Sequence, residues 1–269
     1  MARGRGSSRS RRVTTYRLRP RDAAPPANRS QLVLVVGAIV VLGALGVLLV
    51  TSGTLGRLFG PGGTPGPSLP AALPAGTYQS RSFQPPLAFT IPDGWYVAED
   101  SPDFLELHPV ESRDEGIYLF RDPSAASQDA SCPLAPEPGV GGLSTDLSTW
   151  IRGRPGFVTS NPRLAEVGGL RGVELDVGIV DTWTASCSFA NGAPTVPLFV
   201  KQASNLRWVV AGSERLRVSL LDVPGGGTVV VDIDAFDGSL WSDFLARATP
   251  IVQAFHFATQ GASPAAGPS

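Results

Sequence analysis

Three carboxylates lie close together near the C-terminal end of the chain. Asp232 and Asp234 are two residues apart, so their side chains share one face if the segment is a strand, and Asp237 precedes a glycine turn. Oxygen ligands of this kind suit hard cations such as Ca²⁺. The spacing differs from that of an EF-hand loop. We therefore favour a second interpretation, in which the acids lie on a solvent-facing strand edge followed by a helix start.

The chain contains two cysteines, Cys132 and Cys187. Both follow a long hydrophobic segment that we interpret below as a membrane anchor. They are therefore expected in an oxidising compartment, where two cysteines in loops predict one disulfide bond. The alternative is a reactive or intermolecular thiol.

Other residues that could do chemistry form no recognisable set. His108 and His256 lack companions at metal-ligand spacing and are expected at packing or surface positions. No G-x-S-x-G elbow, P-loop or dinucleotide-binding glycine motif occurs. Four tryptophans fall at core-like positions, with an aromatic ligand platform as the alternative: Trp150, Trp183, Trp208 and Trp241. We assign no catalytic residue and no cofactor.

The elements that would hold these residues are mostly short strands. Apolar residues alternate with polar ones, or form short runs, between Gly- and Pro-rich turns. Gly225, Gly226 and Gly227 predict a hairpin turn between the last two long strands. The predicted strands are 87–91, 95–98, 104–108, 116–120, 156–160, 172–180, 196–201, 206–212, 216–222 and 228–234, with a long loop at 121–143. Phe255 and Phe257 alternate as a last short strand.

Two helical regions interrupt the strands. Ser144 or Thr145 can cap the first helix, whose apolar face carries Leu147, Trp150 and Ile151. Ser239 can cap the second, over 240–248. Pro250 is predicted to begin a separate short helical piece, because proline is best tolerated at a first helical position. Together, the predicted strands and helices indicate an α+β fold, a mostly antiparallel sheet with one or two helices packed on a face.

Both ends of this region resemble PsbP-like domains. The early strand ends in Pro-x-Gly-Trp within FTIPDGW (89–95), and the last helix runs into IVQAFHF (251–257), where Ala254 stands in place of a usual Ser. Small bacterial lipoproteins of the LpqN type look alike in this way. The Pro-rich loop around Cys132 departs from the pattern. The resemblance implies an α/β/α sandwich with a non-catalytic binding or assembly role, and it transfers no catalytic residue.

One segment is apolar enough to cross a membrane. Residues 32–50 read LVLVVGAIVVLGALGVLLV, without a charged or polar side chain. As a helix they span roughly 28 Å, close to the thickness of a bilayer's hydrocarbon core. The following TSGTLGRLFG offers no clear A-x-A cleavage site, so we predict an uncleaved signal anchor, with a cleaved signal peptide as the alternative.

The charges around this segment predict its orientation. Residues 1–31 contain nine arginines and one aspartate, whereas the rest of the chain is acidic and the overall net charge is −1. Basic residues beside a span stay cytoplasmic, which places the following domain outside the cytoplasm. The arm's arginines also suit anionic lipid headgroups. Nucleic-acid binding is not favoured, because the RGRG stretch has no interleaved aromatic residue.

The predicted organisation has five parts. They are a disordered basic cytoplasmic arm (1–31), a transmembrane helix (32–50), a Gly/Pro-rich linker (51–76), an extracytoplasmic α+β domain (77–257) and a disordered tail (258–269). With a single lysine against twenty-one arginines, the composition is typical of a GC-rich bacterial genome.

Three functions follow as hypotheses. The leading one is a membrane-anchored, non-catalytic domain for binding or envelope assembly, with an extracytoplasmic protein or small ligand as its partner. The second is a cell-envelope enzyme that uses paired carboxylates, one of them with a raised pKa. The third is a transmembrane signalling protein whose arm contacts a cytoplasmic partner.

Overall fold

The computed structural model describes residues 71–258. The predicted arm at 1–31, the span at 32–50 and most of the linker and tail lie outside this range. Between residues 71 and 258, no helix is long and apolar enough to cross a membrane.

Fourteen strands and two α-helices are described. The helices are α1 (Ser144–Arg152) and α2 (Trp241–Gln253). The strands are β1 (Gly76–Gln79), β2 (Leu87–Ile91), β3 (Trp95–Ser101), β4 (Phe104–Pro109), β5 (Glu115–Arg121), β6 (Ser124–Ala125), β7 (Phe157–Thr159), β8 (Arg163–Val167), β9 (Leu170–Ile179), β10 (Thr195–Lys201), β11 (Leu206–Ala211), β12 (Arg215–Asp222), β13 (Thr228–Ala235) and β14 (His256–Phe257).

Eight strands form one central antiparallel sheet. Its order is β3-β4-β5-β13-β12-β9-β7, and β8 pairs with β9 beside this path. Two smaller antiparallel sheets accompany it, with the orders β1-β2-β14 and β6-β10-β11. The predicted mostly antiparallel α+β fold is therefore confirmed.

The central strands are buried on both faces. In β5, Ile117 and Leu119 belong to one hydrophobic core, whereas Tyr118 and Phe120 belong to a second core on the opposite face. This alternation is what a pleated strand produces when both of its faces are covered.

Each face of the central sheet carries one helix and one small sheet. The core containing Ile117 is closed by α2 and the β1-β2-β14 sheet, and the core containing Tyr118 is closed by α1 and the β6-β10-β11 sheet. The sequence indicated one or two helices covering a face, and the structure places one on each.

The cap of α1 comes from a distant strand. Neither Ser144 nor Thr145 occupies the cap position, which Leu143 holds without a side-chain hydrogen bond. Instead, Asp222 at the end of β12 accepts hydrogen bonds from the Ser144 backbone N–H at 2.9 Å and from its hydroxyl at 2.6 Å. The predicted local cap was wrong because a tertiary contact satisfies the helix start.

Pro250 does not start a separate helix. It lies within α2, which runs unbroken to Gln253. Proline removes the N–H that would bond the carbonyl of Ala246, but both residues are exposed, so that carbonyl can be solvated. The preceding Thr249 also lies within this helix, and its hydroxyl donates to the Leu245 carbonyl at 2.7 Å.

The strands predicted from alternation are present with shifts of a few residues at their ends. The short strands β1, β6 and β8 were missed, and β6 lies within the predicted long loop. The three-glycine turn joins β12 to β13 as predicted, and each of its glycines has positive φ, which suits glycine far better than other residues.

Candidate functional site

The three carboxylates do not form a single site. Asp232 and Asp234 lie on β13 and are 0% exposed, because β13 is an inner strand paired with β5 and β12. The predicted solvent-facing edge is therefore wrong. Asp237 lies beyond the strand, exposed, and accepts a hydrogen bond from the Ser239 N–H at 2.9 Å. Within residues 71–258, no group of three or more His, Cys, Asp or Glu side chains is placed to hold a metal ion.

Asp232 connects the central sheet to the β6-β10-β11 sheet. The indole Nε1 of Trp208 on β11 donates to Oδ2 of Asp232 at 3.0 Å. Tyr118 is the residue opposite Asp232 on β5, and its ring meets the Trp208 ring edge to face with centroids 4.5 Å apart. The Asp232 carboxylate therefore accepts a hydrogen bond from one aromatic side chain, Trp208, and lies opposite a second one, Tyr118.

His108 forms a second set of polar contacts, on the same face of the central sheet as Asp232. Its Nδ1 lies 2.7 Å from the Glu115 carbonyl, and its Nε2 lies 2.5 Å from Oε1 of Glu106. A carbonyl only accepts, so Nδ1 carries a hydrogen. Both ring nitrogens of His108 therefore have polar partners. The side chain is buried, which agrees with one of the two positions expected from the sequence, a packing position.

Aromatic rings enclose this histidine. Tyr96 stacks on His108 with centroids 5.6 Å apart, and Tyr118 meets it edge to face at 5.4 Å. Burial raises the pKa of Tyr96, the charge of Arg113 opposes that shift, and the charge of Glu106 adds to it.

We call these side chains the acid–aromatic array. It comprises Tyr96, Glu106, His108, Tyr118, Trp208, Asp232 and Asp234. Each member except Glu106 is at most 5% exposed. The sequence signal was present as polar and aromatic residues in successive strands, but strand pairing was needed to bring them together.

An open groove lies on the other side of the central sheet. It has a volume of about 580 Å³ and runs between the second half of α2 and the turn that joins β2 to β3. Its lining residues are Ala75, Gly76, Thr90, Ile91, Pro92, Asp93, Gly94, Trp95, Glu111, Ala246, Arg247, Pro250, Ile251 and Ala254. This size falls within the usual range of about 300–1,000 Å³ for ligand sites.

The groove combines an apolar floor with a few charges. Trp95 and Ile251 are buried beneath it. Asp93 accepts a hydrogen bond from the Ala75 N–H at 2.7 Å, and Arg247 contacts Glu111 at 2.5 Å. Sequence reasoning singled out the Pro-Asp-Gly-Trp segment but did not predict its pairing with α2.

Cys132 and Cys187 form the predicted disulfide bond. Both are buried, and they form a small third core with Ala190, Val209 and Ala211. Because Val209 lies on β11 next to Trp208, the disulfide covers the side of β11 that faces away from the acid–aromatic array.

The four tryptophans differ in burial. Trp150 and Trp208 are 5% and 1% exposed, as core positions require. Trp183 and Trp241 are half-buried at the edges of the two main cores. His256 is exposed on β14.

Comparisons with known proteins give a weak likeness. No protein-family model matches the sequence, and no curated protein matches it. The solution structure of cyanobacterial PsbP from Synechocystis sp. PCC 6803 is similar at 13% identity and a TM-score of 0.35, covering 74% of this chain and 100% of that chain.

A second similar structure comes from Bacteroides thetaiotaomicron. It is 10% identical with a TM-score of 0.28, and the match covers 65% of this chain and 46% of that one. This chain therefore matches under half of that protein's length. The weak PsbP-like resemblance inferred from the sequence is thus also found between structures, but it says nothing about function at these scores.

Proposed function

We propose that the chain is a single-pass membrane protein that holds a non-catalytic domain outside the cytoplasm for binding or envelope assembly. Residues 32–50 anchor it, and the arginines of the arm at 1–31 bind anionic lipid headgroups, each adding about 1 kcal/mol near the surface. The domain is a PsbP-like α/β/α sandwich, an assignment supported by the single helix on each face of its central sheet.

The disulfide supports the extracytoplasmic location. Disulfides persist in oxidising compartments and are rare in the cytosol, where thiols are kept reduced. A buried pair of cysteines joined across 55 residues fits the oxidising side of the membrane.

The observation that carries the binding role is the groove between α2 and the β2–β3 turn. Its rim includes the exposed residues Pro92, Ala246 and Pro250, so a partner can reach it without any rearrangement. Asp93, Glu111 and Arg247 supply polar contacts beside the apolar floor. An open groove of this kind suits an extended protein segment better than a fully enclosed small molecule.

Site-specific cross-linking in cells tests this role. A photoreactive residue at Ala246, inside the groove, should yield a discrete adduct with one other protein. The matched control is Gln253, which is exposed on the same helix but does not line the groove. The same adducts at both positions, or none at Ala246, would contradict a binding role for the groove.

The topology has its own test. Alkaline carbonate extraction should leave the chain in the membrane pellet. Protease added outside intact spheroplasts should degrade the domain and spare the arm. Release of the chain by carbonate would show that the segment at 32–50 is cleaved or does not insert.

A second candidate function is a cell-envelope enzyme. Two observations favour it: the neighbouring buried carboxylates Asp232 and Asp234, and the contact between Nε2 of His108 and the carboxyl group of Glu106. Substrate would have to reach the carboxylates. Carbodiimide labelling of the folded protein tests that requirement, with exposed Asp243 as the positive control. Labelling of Asp243 without Asp232 or Asp234 would count against the enzyme.

A further inference from the structure

The groove between α2 and the β2–β3 turn carries an excess of negative charge. Its charged lining residues are Asp93, Glu111 and Arg247, which are two acids and one base. The base is already engaged, because Nη1 of Arg247 lies 2.5 Å from Oε1 of Glu111 and its guanidinium lies 5.6 Å from the ring centroid of Phe244. Arg247 therefore balances Glu111 and leaves the charge of Asp93 to another cation.

Asp93 presents an open acceptor to the groove. Its Oδ1 accepts a hydrogen bond from the Ala75 N–H at 2.7 Å, whereas its Oδ2 has no hydrogen-bond donor among residues 71–258. The side chain is exposed. Beside it, no atom other than those of the chain neighbours lies within 4 Å of the position that a Cβ on Gly94 would take. A cation can therefore reach Asp93 without displacing any part of the domain.

The helix α2 supplies a second acceptor beside the same groove. Pro250 lies inside α2 and has no N–H, so it cannot donate to the Ala246 carbonyl one turn earlier. Ala246 and Pro250 both line the groove, and both are exposed. The gap in the helical hydrogen-bond pattern therefore lies where an occupant of the groove can donate to it.

The groove is poor in hydrogen-bond donors. Pro92 and Pro250 line it without a backbone N–H, and the Thr90 hydroxyl lies 2.9 Å from the hydroxyl of Thr77. Acceptors together with unbalanced negative charge favour a ligand that carries positive charge and several donors. A guanidinium has five N–H donors and no acceptor, and it binds carboxylates with a well-defined geometry.

The apolar floor indicates what accompanies the cation. Trp95 and Ile251 are buried beneath the groove, so a large apolar side chain lying over them removes further apolar surface from water. In an extended chain, side chains two positions apart point the same way. An arginine and the residue two positions away can therefore face the groove together.

We propose that the groove binds an extended segment of another protein in which an arginine is separated by one residue from a large apolar residue. The guanidinium pairs with Asp93, a backbone N–H of the segment donates to the Ala246 carbonyl, and the apolar side chain lies over Trp95 and Ile251. The inference rests on the proposed binding role of the groove and adds the chemistry of its partner.

A random heptapeptide library on beads, incubated with the purified full-length chain in phosphatidylcholine nanodiscs, tests this chemistry. Peptides selected by the unchanged chain should be enriched in arginine with leucine, isoleucine or phenylalanine two positions away. Asp93→Asn keeps an oxygen for the Ala75 N–H but loses the charge, so it should lose the arginine enrichment. The control Asp243→Asn removes an exposed acid of α2 outside the groove and should retain it. Peptides that Ala246→Arg still selects bind elsewhere and are subtracted.

Fluorescence anisotropy with the most frequent selected peptide gives a second measurement. Citrulline in place of its arginine keeps the shape and removes the charge. This change should weaken binding to the unchanged chain by roughly fivefold, the upper end for an exposed ion pair. Binding to Asp93→Asn should hardly differ between the two peptides. Melting temperatures of the variants report whether each is folded.

The outcomes separate this inference from the binding role itself. Absence of arginine enrichment in the unchanged chain, or its persistence in Asp93→Asn, would overturn the arginine partner, whereas a discrete adduct at Ala246 in cells would still support a binding groove. An adduct at Ala246 between two copies of the chain, with no peptide selected, would identify a second copy as the occupant and would also overturn the inference.

Discussion

The Trp208 indole donates a hydrogen bond to the buried carboxylate of Asp232 across 3.0 Å, joining the β6-β10-β11 sheet to the central sheet. The contact fixes a polar group inside a core that is otherwise largely apolar and aromatic. Removing this donor takes one hydrogen bond from a buried carboxylate, which carries a desolvation cost.

Trp208→Phe should therefore destabilise the domain. The ring still packs against Tyr118, but the donor to Asp232 is lost, with an expected decrease of about 1–3 kcal/mol in the free energy of unfolding. Urea unfolding followed by circular dichroism measures it. Trp241→Phe, at a half-buried position on α2, is the control and should cost less. Equal losses would mean that the hydrogen bond contributes nothing specific.

Asp222→Ala should weaken the start of α1. The substitution removes the acceptor for both the N–H and the hydroxyl of Ser144. Losing a helix cap costs roughly 1 kcal/mol, within a range of about 0.5–2. The control is Asp181→Ala, at an exposed loop position. Urea midpoints that agree between the two variants would argue against the tertiary cap.

Replacing both Cys132 and Cys187 by alanine should lower stability considerably. The bond closes a loop of 55 residues, for which the chain-entropy relation gives about 4 kcal/mol. Thermal unfolding of the variant against the oxidised parent measures the loss. Non-reducing peptide mapping of the parent should show the linked peptides, and free thiols in the folded protein would contradict the disulfide.

Asp237 should contribute to stability only above acidic pH. Hydrogen bonds from the Ser239 side chain and backbone lower the pKa of Asp237 in the folded protein. This contribution is complete above the unfolded-state pKa and disappears as the pH falls through the lowered folded-state pKa. Ser239→Ala should raise the pKa of Asp237 in a carboxylate NMR titration, and an unchanged pKa would contradict the role of the serine hydroxyl.

Calcium should leave the melting temperature unchanged at millimolar concentration. Asp232 and Asp234 are 0% exposed, and Asp237 instead binds the N–H of Ser239. A calcium-dependent rise in melting temperature that Asp234→Ala abolishes would restore the metal site as an interpretation of these acids.

Much of the fold could be predicted from local patterns. Alternation in 172–180 predicted a strand that the structure places at Leu170–Ile179, and three consecutive glycines predicted the β12–β13 turn. These signals are local, because side-chain direction in a strand depends only on residue spacing. Short strands such as β8 carry too few residues to show a pattern.

The acid–aromatic array could not be predicted in the same way. Spacing correctly put Asp232 and Asp234 on one face, but not what covers that face. Trp208, which covers it, is 24 residues away in sequence and belongs to another sheet. The groove likewise needed α2 to pack beside the Pro-Asp-Gly-Trp turn, and these segments are far apart in the chain.

The sequence by itself predicted most of the strands, the two helical regions and the disulfide between the two cysteines, because spacing and composition are properties of the chain alone. The membrane-anchored location stays a prediction. Tertiary structure alone decided that Asp222 accepts the hydrogen bonds at the start of α1, that His108 contacts Glu106 and that Asp93 and Arg247 line one groove. The physical reason is that an apolar strand face can be buried by any apolar partner of suitable shape, so its sequence does not specify which distant segment covers it.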